Sequence, residues 1–234
     1  IGSDLIYKYS VLFGFGELSG IQLPGESNGI LRKFNKWTRS SGPTIAMGQE
    51  LSATSLQTAM SYAAIANGGY LLKPTVIHQI RGSNLHSEIS SAPQVIRTVM
   101  MEETAIALLS MLGEVINKGT ADNARMKGFS LAGKTSTAQK FVDGSYSQKE
   151  FISAFAGIYP AHSPDMICAV AVDSPDYGKH WGNETAAPIV RKVIERIINL
   201  GTSDEDEPVF TATDTESTQI KHLTLNTRAL TERN

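Results

Sequence analysis

Apolar residues recur at helical spacing in three stretches of the chain, which predicts three amphipathic helices. The first stretch begins after Thr54, which forms the spacing of a capping box with Gln57, and it ends at the Asn67-Gly68-Gly69 turn. Alanines dominate its apolar side, so we expect it to pack closely against another element of the core. That side consists of Leu56, Ala59, Met60, Ala63 and Ala64.

The second predicted helix runs from Thr104 to Lys118, and Gly119 ends it. Its apolar residues share one face, namely Ile106, Leu109, Leu112, Val115 and Ile116. The third helix opens at Pro188, a favoured residue for the first helical position, and Gly201 closes it. Its apolar positions are Ile189, Val190, Val193, Ile194, Ile197 and Ile198. We expect both apolar faces to point towards a core.

Between the second and third helices the pattern changes to that of β-strands. The Asp143-Gly144 pair in FVDGSY is a strong hairpin signal, and the β-favouring segments FISAFAGIYPA and MICAVAVDSP follow it, separated by a turn at Pro160 to Pro164. We therefore predict an antiparallel meander of three strands, the first of which carries GKTSTAQK. A further extended segment, YLLKPTVIHQI, follows the first helix, and Pro74 argues against a central position in a sheet.

The composition is that of an ordinary globular domain, with 234 residues of which 41% are hydrophobic and 19% charged. A net charge of −2 leaves no general basic field, which argues against nucleic acid as a partner. The single cysteine, Cys168, excludes an internal disulfide and a cysteine-based zinc site. No metal or cofactor is predicted, because the five histidines show no metal-ligand spacing: His78, His86, His162, His180 and His222.

The start of the chain suggests part of a longer protein. The first residues, IGSDLIYKYSVLFGFG, lack a starting methionine and are typical of the end of a helix. No apolar run approaches the roughly 18 residues of a membrane span. Residues 201–234 contain the acidic run Asp204–Glu207 and many threonines and serines, which predicts a disordered tail. The expected domain therefore covers residues 1–200.

The segment GFSLAGKTSTAQKF, residues 128–141, matches the phosphate-binding pattern G-x-x-x-x-G-K-[ST] letter by letter. A working phosphate loop needs a buried strand before its first glycine and a helix that opens at the Lys-Thr pair. Here the polar ADNARMK precedes Gly128, and a Ser/Thr-rich hairpin sequence follows Thr135. We interpret the match as accidental, and a nucleotide-binding enzyme is the weakest alternative.

If the same segment is a β-strand and not a phosphate-binding loop, its residues suggest a different chemistry. Alternate residues of a strand share a face, so Lys134 and Ser136 would point one way, and Thr135 and Thr137 the other. On an edge strand, one rim would then offer a cation, several hydroxyls and free backbone N–H groups, which suits a substrate with a carboxylate and a carbonyl. The alternative is a lysine that only keeps an edge strand soluble.

The segment GKTSTAQK resembles the KTG-type strand motif of penicillin-binding proteins and serine β-lactamases. Neighbouring segments agree with that family in order and spacing: YKYSVLFGFGELSGIQLPGE and ATSLQTAMSYAAIANGGYLLKP before the motif, DGSYSQKEFISAFAGIYPA, a strand and AAPIVRKVIERII after it. Over residues 1–200 the chain is similar to the C-terminal half of the transpeptidase domain of monofunctional penicillin-binding proteins of the division or elongation type.

The resemblance implies an α/β fold, a fragment of the penicillin-binding protein and serine β-lactamase fold in which helices pack on an antiparallel sheet. It also implies the cross-linking of peptidoglycan stem peptides through an acyl-serine intermediate, at a serine that β-lactams acylate as well. Lys134 and Thr137 would be catalytic, Lys134 by attracting the substrate carboxylate and Thr137 through its backbone N–H in the oxyanion hole. Thr135, Ser136 and Thr137 would bind substrate.

Two features depart from the family pattern. The nucleophile motif S-x-x-K and the second motif S-x-N occur nowhere in the 234 residues. We expect both to precede Ile1 in the parent protein, and we expect this chain to be inactive by itself. The second departure is Ser136, where the family usually has glycine. Its side chain would either crowd the cleft or add a hydroxyl.

The resemblance also implies a place at the extracytoplasmic face of the bacterial cell membrane, through an anchor upstream of this chain and without membrane contact by the segment itself. Expected partners are peptidoglycan stem peptides, β-lactams, and proteins of a division or elongation complex. Two alternatives share the fold. One is a serine β-lactamase or β-lactam sensor, and the other is a non-catalytic relative that binds division proteins or cell-wall strands.

Overall fold

The computed structural model describes residues 2–77, 79–81, 88–90 and 92–201, and it has the predicted α/β architecture. The helices are α1 (Ser3–Leu12), α2 (Ser41–Ala46), α3 (Ser55–Ala66), α4 (Glu102–Asn117) and α5 (Ala186–Gly201). The strands are β1 (Tyr70–Leu72), β2 (Gln79–Arg81), β3 (Glu88–Ser90), β4 (Val95–Thr98), β5 (Ala132–Val142), β6 (Ser145–Tyr159) and β7 (Met166–Asp173). The disorder predicted for residues 201–234 falls outside the described residues, except for Gly201, which ends α5.

The predicted meander is confirmed as an antiparallel sheet in the order β5-β6-β7. Asp143 and Gly144 both have positive φ, 50° and 82°, which is the backbone of the tight hairpin turn expected from their sequence. The register then shifts between Gln139 and Phe141, and beyond this irregularity Thr135 lies opposite Phe155 and Thr137 lies opposite Ser153. The motif strand β5 pairs with β6 and with no other strand of the described residues, so it forms an edge of the sheet.

Helix α5 packs on one face of this sheet. Val190 and Ile194 are fully buried against Phe155, and together with Ala186 and Ala187 they form the main core. The helix begins at Ala186, two residues earlier than predicted, and Pro188 lies in its first turn, where a backbone N–H has no helical partner to lose. The predicted apolar face is only partly correct, because three of its members are exposed by 38–42%: Ile189, Val193 and Ile197.

Helix α3 lies near the opposite face and contacts β6 and β7. Its predicted capping box is confirmed in both directions, since the Gln57 N–H donates to Thr54 Oγ1 at 3.1 Å and the Thr54 N–H donates to Gln57 Oε1 at 2.9 Å. The predicted extended segment after it is confirmed over β1, which pairs with β4 in a small separate sheet. That sheet shares a second core with α3, in which Ala64, Leu71 and Val99 are buried.

The buried face of helix α4 differs from the predicted one. It begins at Glu102 rather than Thr104, and Ala105 and Ile116 are its buried residues. Ile106, expected on the apolar face, is 60% exposed. The helix contacts the start of β5 and α3, and its last turn leads into the main core.

Candidate functional site

The candidate site is the free edge of β5, where the structure brings together the four residues proposed from the sequence. Lys134 and Ser136 are exposed, whereas Thr135 and Thr137 are half-buried, so the predicted alternation of faces is confirmed. Gly133 and Thr135 belong to this strand and not to a helix start, which overturns the phosphate-loop alternative.

The ammonium group of Lys134 folds back along the strand. Its Nζ donates a hydrogen bond to the Thr135 carbonyl oxygen at 3.0 Å. That carbonyl is therefore reachable from outside the β5–β6 ladder, which indicates that the backbone groups of Thr135 point towards the free edge. In a strand, the N–H and C=O of one residue point the same way, and the direction alternates with each residue.

The packing at Gly182 independently supports this direction of the backbone groups, because it shows where those of Ser136 point. A Cβ added at Gly182 would lie 2.5 Å from the Ser136 carbonyl oxygen and 2.5 Å from the Ala154 carbonyl oxygen. These two oxygens belong to residues paired in register, so they lie together between β5 and β6. Since Ser136 points its backbone at β6, we infer that Thr135 and Thr137 point theirs off the free edge.

A pocket of about 190 Å³ opens beside Lys134 and Ser136, between the sheet and α3. Helix α3 contributes hydroxyl-bearing side chains to it, namely Ser55, Thr58 and Tyr62. Its sheet wall is built from small residues, including Ala154, Ala156, Ala169 and Ala171. Burial raises the pKa of Tyr62 to about 12, so this hydroxyl keeps its proton at neutral pH and lends the pocket no negative charge.

Behind the strand, the loop between β7 and α5 is attached to β5 and β6. The Gly182 N–H donates to Thr137 Oγ1 at 3.1 Å, and the Ser153 hydroxyl donates to the His180 carbonyl oxygen. Sequence reasoning did not foresee either bond, because both join residues that are far apart in the chain. Thr135 makes a weaker contact, with its Oγ1 3.4 Å from Thr120 Oγ1.

Aromatic rings cover this loop. His180 stacks on Phe151 with ring centroids 4.2 Å apart, and Tyr177 stacks on His180 at 5.2 Å. Tyr177 and Trp181 are 61% and 56% exposed. The loop therefore packs on the middle of β6, next to the strand that carries Lys134.

The remaining chemistry-bearing residues have ordinary packing roles. Ser130 Oγ lies 2.8 Å from His162 Nδ1, and the other described histidine, His180, is held in the stack above. Cys168 faces the main core, where burial raises the pKa of its thiol. Across residues 2–77, 79–81, 88–90 and 92–201 there is no group of three side chains suited to hold a metal ion. His78, His86 and His222 lie outside the described residues.

An antiparallel sheet with a lysine on its edge strand, one helix behind it and a hydroxyl-bearing helix in front defines a class, the α/β domains of penicillin-binding proteins and serine β-lactamases. The family model for the penicillin-binding protein transpeptidase domain matches residues 1–195 of this sequence. This chain therefore belongs to the penicillin-binding protein transpeptidase family, as its sequence predicted.

Individual relatives agree with this assignment. Stage V sporulation protein D of Bacillus subtilis is 32% identical over 228 residues, which cover 95% of this chain and 35% of that protein. Peptidoglycan D,D-transpeptidase FtsI of Buchnera aphidicola is 32% identical over 200 residues, 85% of this chain and 34% of that protein. The chain thus spans about a third of the length of such relatives.

The fold is also that of solved structures. Penicillin-binding protein 3 of Mycobacterium tuberculosis, in complex with ampicillin, superposes with a TM-score of 0.78 at 29% identity, over 87% of this chain and 47% of that one. The transpeptidase domain of Burkholderia pseudomallei penicillin-binding protein 3 gives a TM-score of 0.72 at 26% identity, over 89% and 60% of the two chains. No helix among the described residues is long and apolar enough to span a membrane.

Proposed function

We propose that this chain forms the lysine-bearing wall of the active site of a peptidoglycan D,D-transpeptidase. The observation that carries the proposal is the free edge of β5, where the Lys134 ammonium group is exposed and where the alternation of the strand directs the Thr137 N–H outward. A cation beside an unpaired N–H can hold a carboxylate and polarise a carbonyl within one extended peptide. The names of relatives, among them a peptidoglycan D,D-transpeptidase, support the same reaction.

In this mechanism the stem peptide lies alongside β5 with its terminal carboxylate near Lys134 and the Thr135 hydroxyl. A serine of the parent protein attacks the penultimate D-Ala carbonyl, and the Thr137 N–H stabilises the oxyanion that develops. The C–N bond to the terminal D-Ala then breaks, the leaving amine takes a proton, and an acyl-serine remains. An amine from a neighbouring strand attacks this ester, which forms the cross-link and releases the serine. A β-lactam acylates the same serine.

The attacking serine belongs, in our proposal, to a part of the parent protein outside these 234 residues, since S-x-x-K is absent from them. The chain by itself is then inactive, and neither metal nor cofactor takes part. We place the active site on the extracytoplasmic side of the bacterial cell membrane, held there by an anchor elsewhere in the parent. Stem peptides are the substrates, and division or elongation proteins are the partners of the assembly.

Labelling with fluorescent penicillin tests the proposal in the complete protein that contains this chain. We expect the wild type to be labelled and Lys134→Met to be labelled roughly 10- to 100-fold more slowly, because a charged hydrogen bond of about 1.5–3 kcal/mol is lost. Lys149→Met, at an exposed lysine of β6, is the matched control and should keep the wild-type rate. A wild type that penicillin fails to acylate would overturn the proposal, as would a Lys134→Met variant with an unchanged rate.

Ser136 decides between the transpeptidase and a non-catalytic relative of the same fold. Its side chain is exposed on the Lys134 face, and its hydroxyl makes no hydrogen bond within the described part of the chain. A serine that extends into open space should not hinder acylation, so Ser136→Gly should change the acylation rate less than about threefold. A gain of a hundredfold or more would instead indicate a cleft that serine obstructs and would favour the non-catalytic relative.

A further inference from the structure

A strongly basic segment with aromatic side chains lies at one end of the molecule. The segment LRKFNKWTR, residues 31–39, contains four cations and no acid in a chain whose net charge is −2. Two of its aromatic residues contact Tyr7 of α1. We call the combined surface the basic aromatic patch, and it consists of Tyr7, Lys33, Phe34, Lys36, Trp37 and Arg39.

The three rings of the patch contact one another. Their centroids are 5.6 Å apart for Tyr7 and Phe34, 5.4 Å for Tyr7 and Trp37, and 5.5 Å for Phe34 and Trp37. The Trp37 indole N–H donates to the Arg32 carbonyl oxygen at 2.8 Å, which fixes the ring on its own loop. Phe34 remains 43% exposed. The rings therefore form an ordered platform at the surface, which would lose little entropy on binding.

The charges of the patch face solvent. Lys33, Lys36 and Arg39 are exposed, and none of them has an ion-pair partner among the described residues. Arg32, the fourth cation of the segment, is paired with Glu50 and is not counted in the patch. The nearest acid along α1 is Asp4, which lies one turn before Tyr7.

A chain of contacts links this patch to the strand that carries Lys134. Glu50, the partner of Arg32, donates its backbone N–H to the Tyr146 hydroxyl at 3.2 Å, and Tyr146 contacts Phe141 with ring centroids 5.3 Å apart. Phe141 lies near the hairpin end of β5 and is 66% exposed. None of the patch residues lines the pocket beside Lys134, so a small molecule bound in that pocket does not touch the patch.

We propose that the basic aromatic patch binds the uncross-linked peptidoglycan strand whose stem peptide reacts at Lys134. The inference rests on the proposed function. The apolar face of a sugar ring packs on an exposed aromatic ring as other apolar groups do, and the three unpaired cations match the carboxylates of the stem peptides along the strand. Binding energy gained outside the pocket beside Lys134 holds a polymer in place without touching a β-lactam.

The occupant that we propose is a polymer and not a membrane surface. The three rings contact one another and form a platform along which a polymer can lie. Binding to anionic lipid is therefore the competing outcome of the experiment and not part of the proposal.

The experiment compares two triple variants of the complete protein. The first replaces the patch cations, Lys33→Ala, Lys36→Ala and Arg39→Ala; the matched control replaces three exposed lysines elsewhere, Lys127→Ala, Lys149→Ala and Lys192→Ala. Three quantities are measured for each variant. They are the co-sedimentation affinity for purified uncross-linked peptidoglycan strands over a range of salt concentrations, the affinity for vesicles containing phosphatidylglycerol, and the rate of acylation by fluorescent penicillin. A third variant, Phe34→Ala, removes the exposed ring without changing the charge.

We expect the patch variant to lose about tenfold or more in polymer affinity and to show a flatter salt dependence, while its penicillin acylation rate stays that of the wild type. Phe34→Ala should weaken polymer binding with the salt dependence unchanged. The inference is overturned if polymer binding is unchanged, if the control triple loses as much, or if the patch variant loses affinity only for vesicles containing phosphatidylglycerol. Failure of the proposed function is distinguishable, since it shows as a wild type that penicillin does not acylate.

Discussion

The hydroxyl of Thr137 accepts a hydrogen bond from the Gly182 N–H at 3.1 Å, which attaches the loop before α5 to the motif strand. The residue opposite Thr137 in the register, Ser153, is fully buried and donates to the His180 carbonyl oxygen of the same loop. Two adjacent hydroxyls on paired strands therefore hold one loop. The side chain of Thr137 thus has a structural role in addition to the catalytic role that we propose for its backbone.

Replacing Thr137 separates these two roles. Thr137→Val removes the acceptor and leaves the buried Gly182 N–H without its partner, so the free energy of unfolding should fall by about 1–2 kcal/mol. Thr137→Ser keeps the hydroxyl and should stay within about 0.5 kcal/mol of the wild type. Urea unfolding of the complete protein measures both. Equal losses for valine and serine would contradict the role of this hydrogen bond.

Gly182 is required by close approach and not by its own backbone angles. A Cβ at this position would lie 2.5 Å from two carbonyl oxygens of paired strands, which cannot move apart without opening the sheet. Gly182→Ala should therefore destabilise the protein more than Thr137→Val does and slow acylation by penicillin. The matched control is Gly178→Ala in the same loop, where an added Cβ meets nothing within 4 Å. Thermal unfolding midpoints that fall equally in both variants would contradict this explanation.

The local elements were predictable wherever one strong signal governs a short segment. The Asp143-Gly144 turn set the place of the β5–β6 hairpin, and the Thr54–Gln57 capping box set the start of α3. The register shift between Gln139 and Phe141, which fixes the partners of the motif residues, has no such signal in the sequence. Which side of a helix is buried was harder to predict. Helical spacing places Ile106 on a common face with Ile116, but the tertiary contacts of α4 bury Ala105 and leave Ile106 outside.

The candidate site likewise has features that the sequence predicts and features that it does not. The edge position of Lys134 follows from the order of three consecutive strands and could be predicted. The bond from Gly182 to Thr137 could not, because it joins positions 45 residues apart and no pattern in the chain marks either partner. The direction of the Thr137 N–H also depends on the pairing of Ser136 with Ala154, which a sequence does not specify.

Gln57 has a second role that its capping motif did not predict. The side chain is only 2% exposed, and its Nε2 donates to the carbonyl oxygens of Glu17 at 2.9 Å and Asn28 at 3.0 Å. Gln57→Ala should cost about 3 kcal/mol, since it removes the cap and leaves buried carbonyls unpaired. Gln148→Ala, at an exposed glutamine of β6, is the control. Urea unfolding with a loss below about 1 kcal/mol would contradict this role.

The largely buried side chain of Tyr62 makes the free energy of unfolding depend on pH in the alkaline range. Burial raises its pKa from 10 to about 12, so between these values the unfolded chain releases a proton that the folded protein keeps. The contribution is therefore complete below pH 10 and is lost as the pH rises towards 12. At pH 11 the loss should be about 1.4 kcal/mol relative to pH 9.

The loss should be absent from Tyr62→Phe, which has no proton to release. Urea unfolding at pH 9 and pH 11 should therefore show the wild type losing about 1.4 kcal/mol more than this variant. Tyr9→Phe, at a tyrosine 45% exposed, should lose as much as the wild type does. If the wild type and Tyr62→Phe lose equal stability, the hydroxyl is not desolvated, and the pocket beside Lys134 is open to water at its α3 wall.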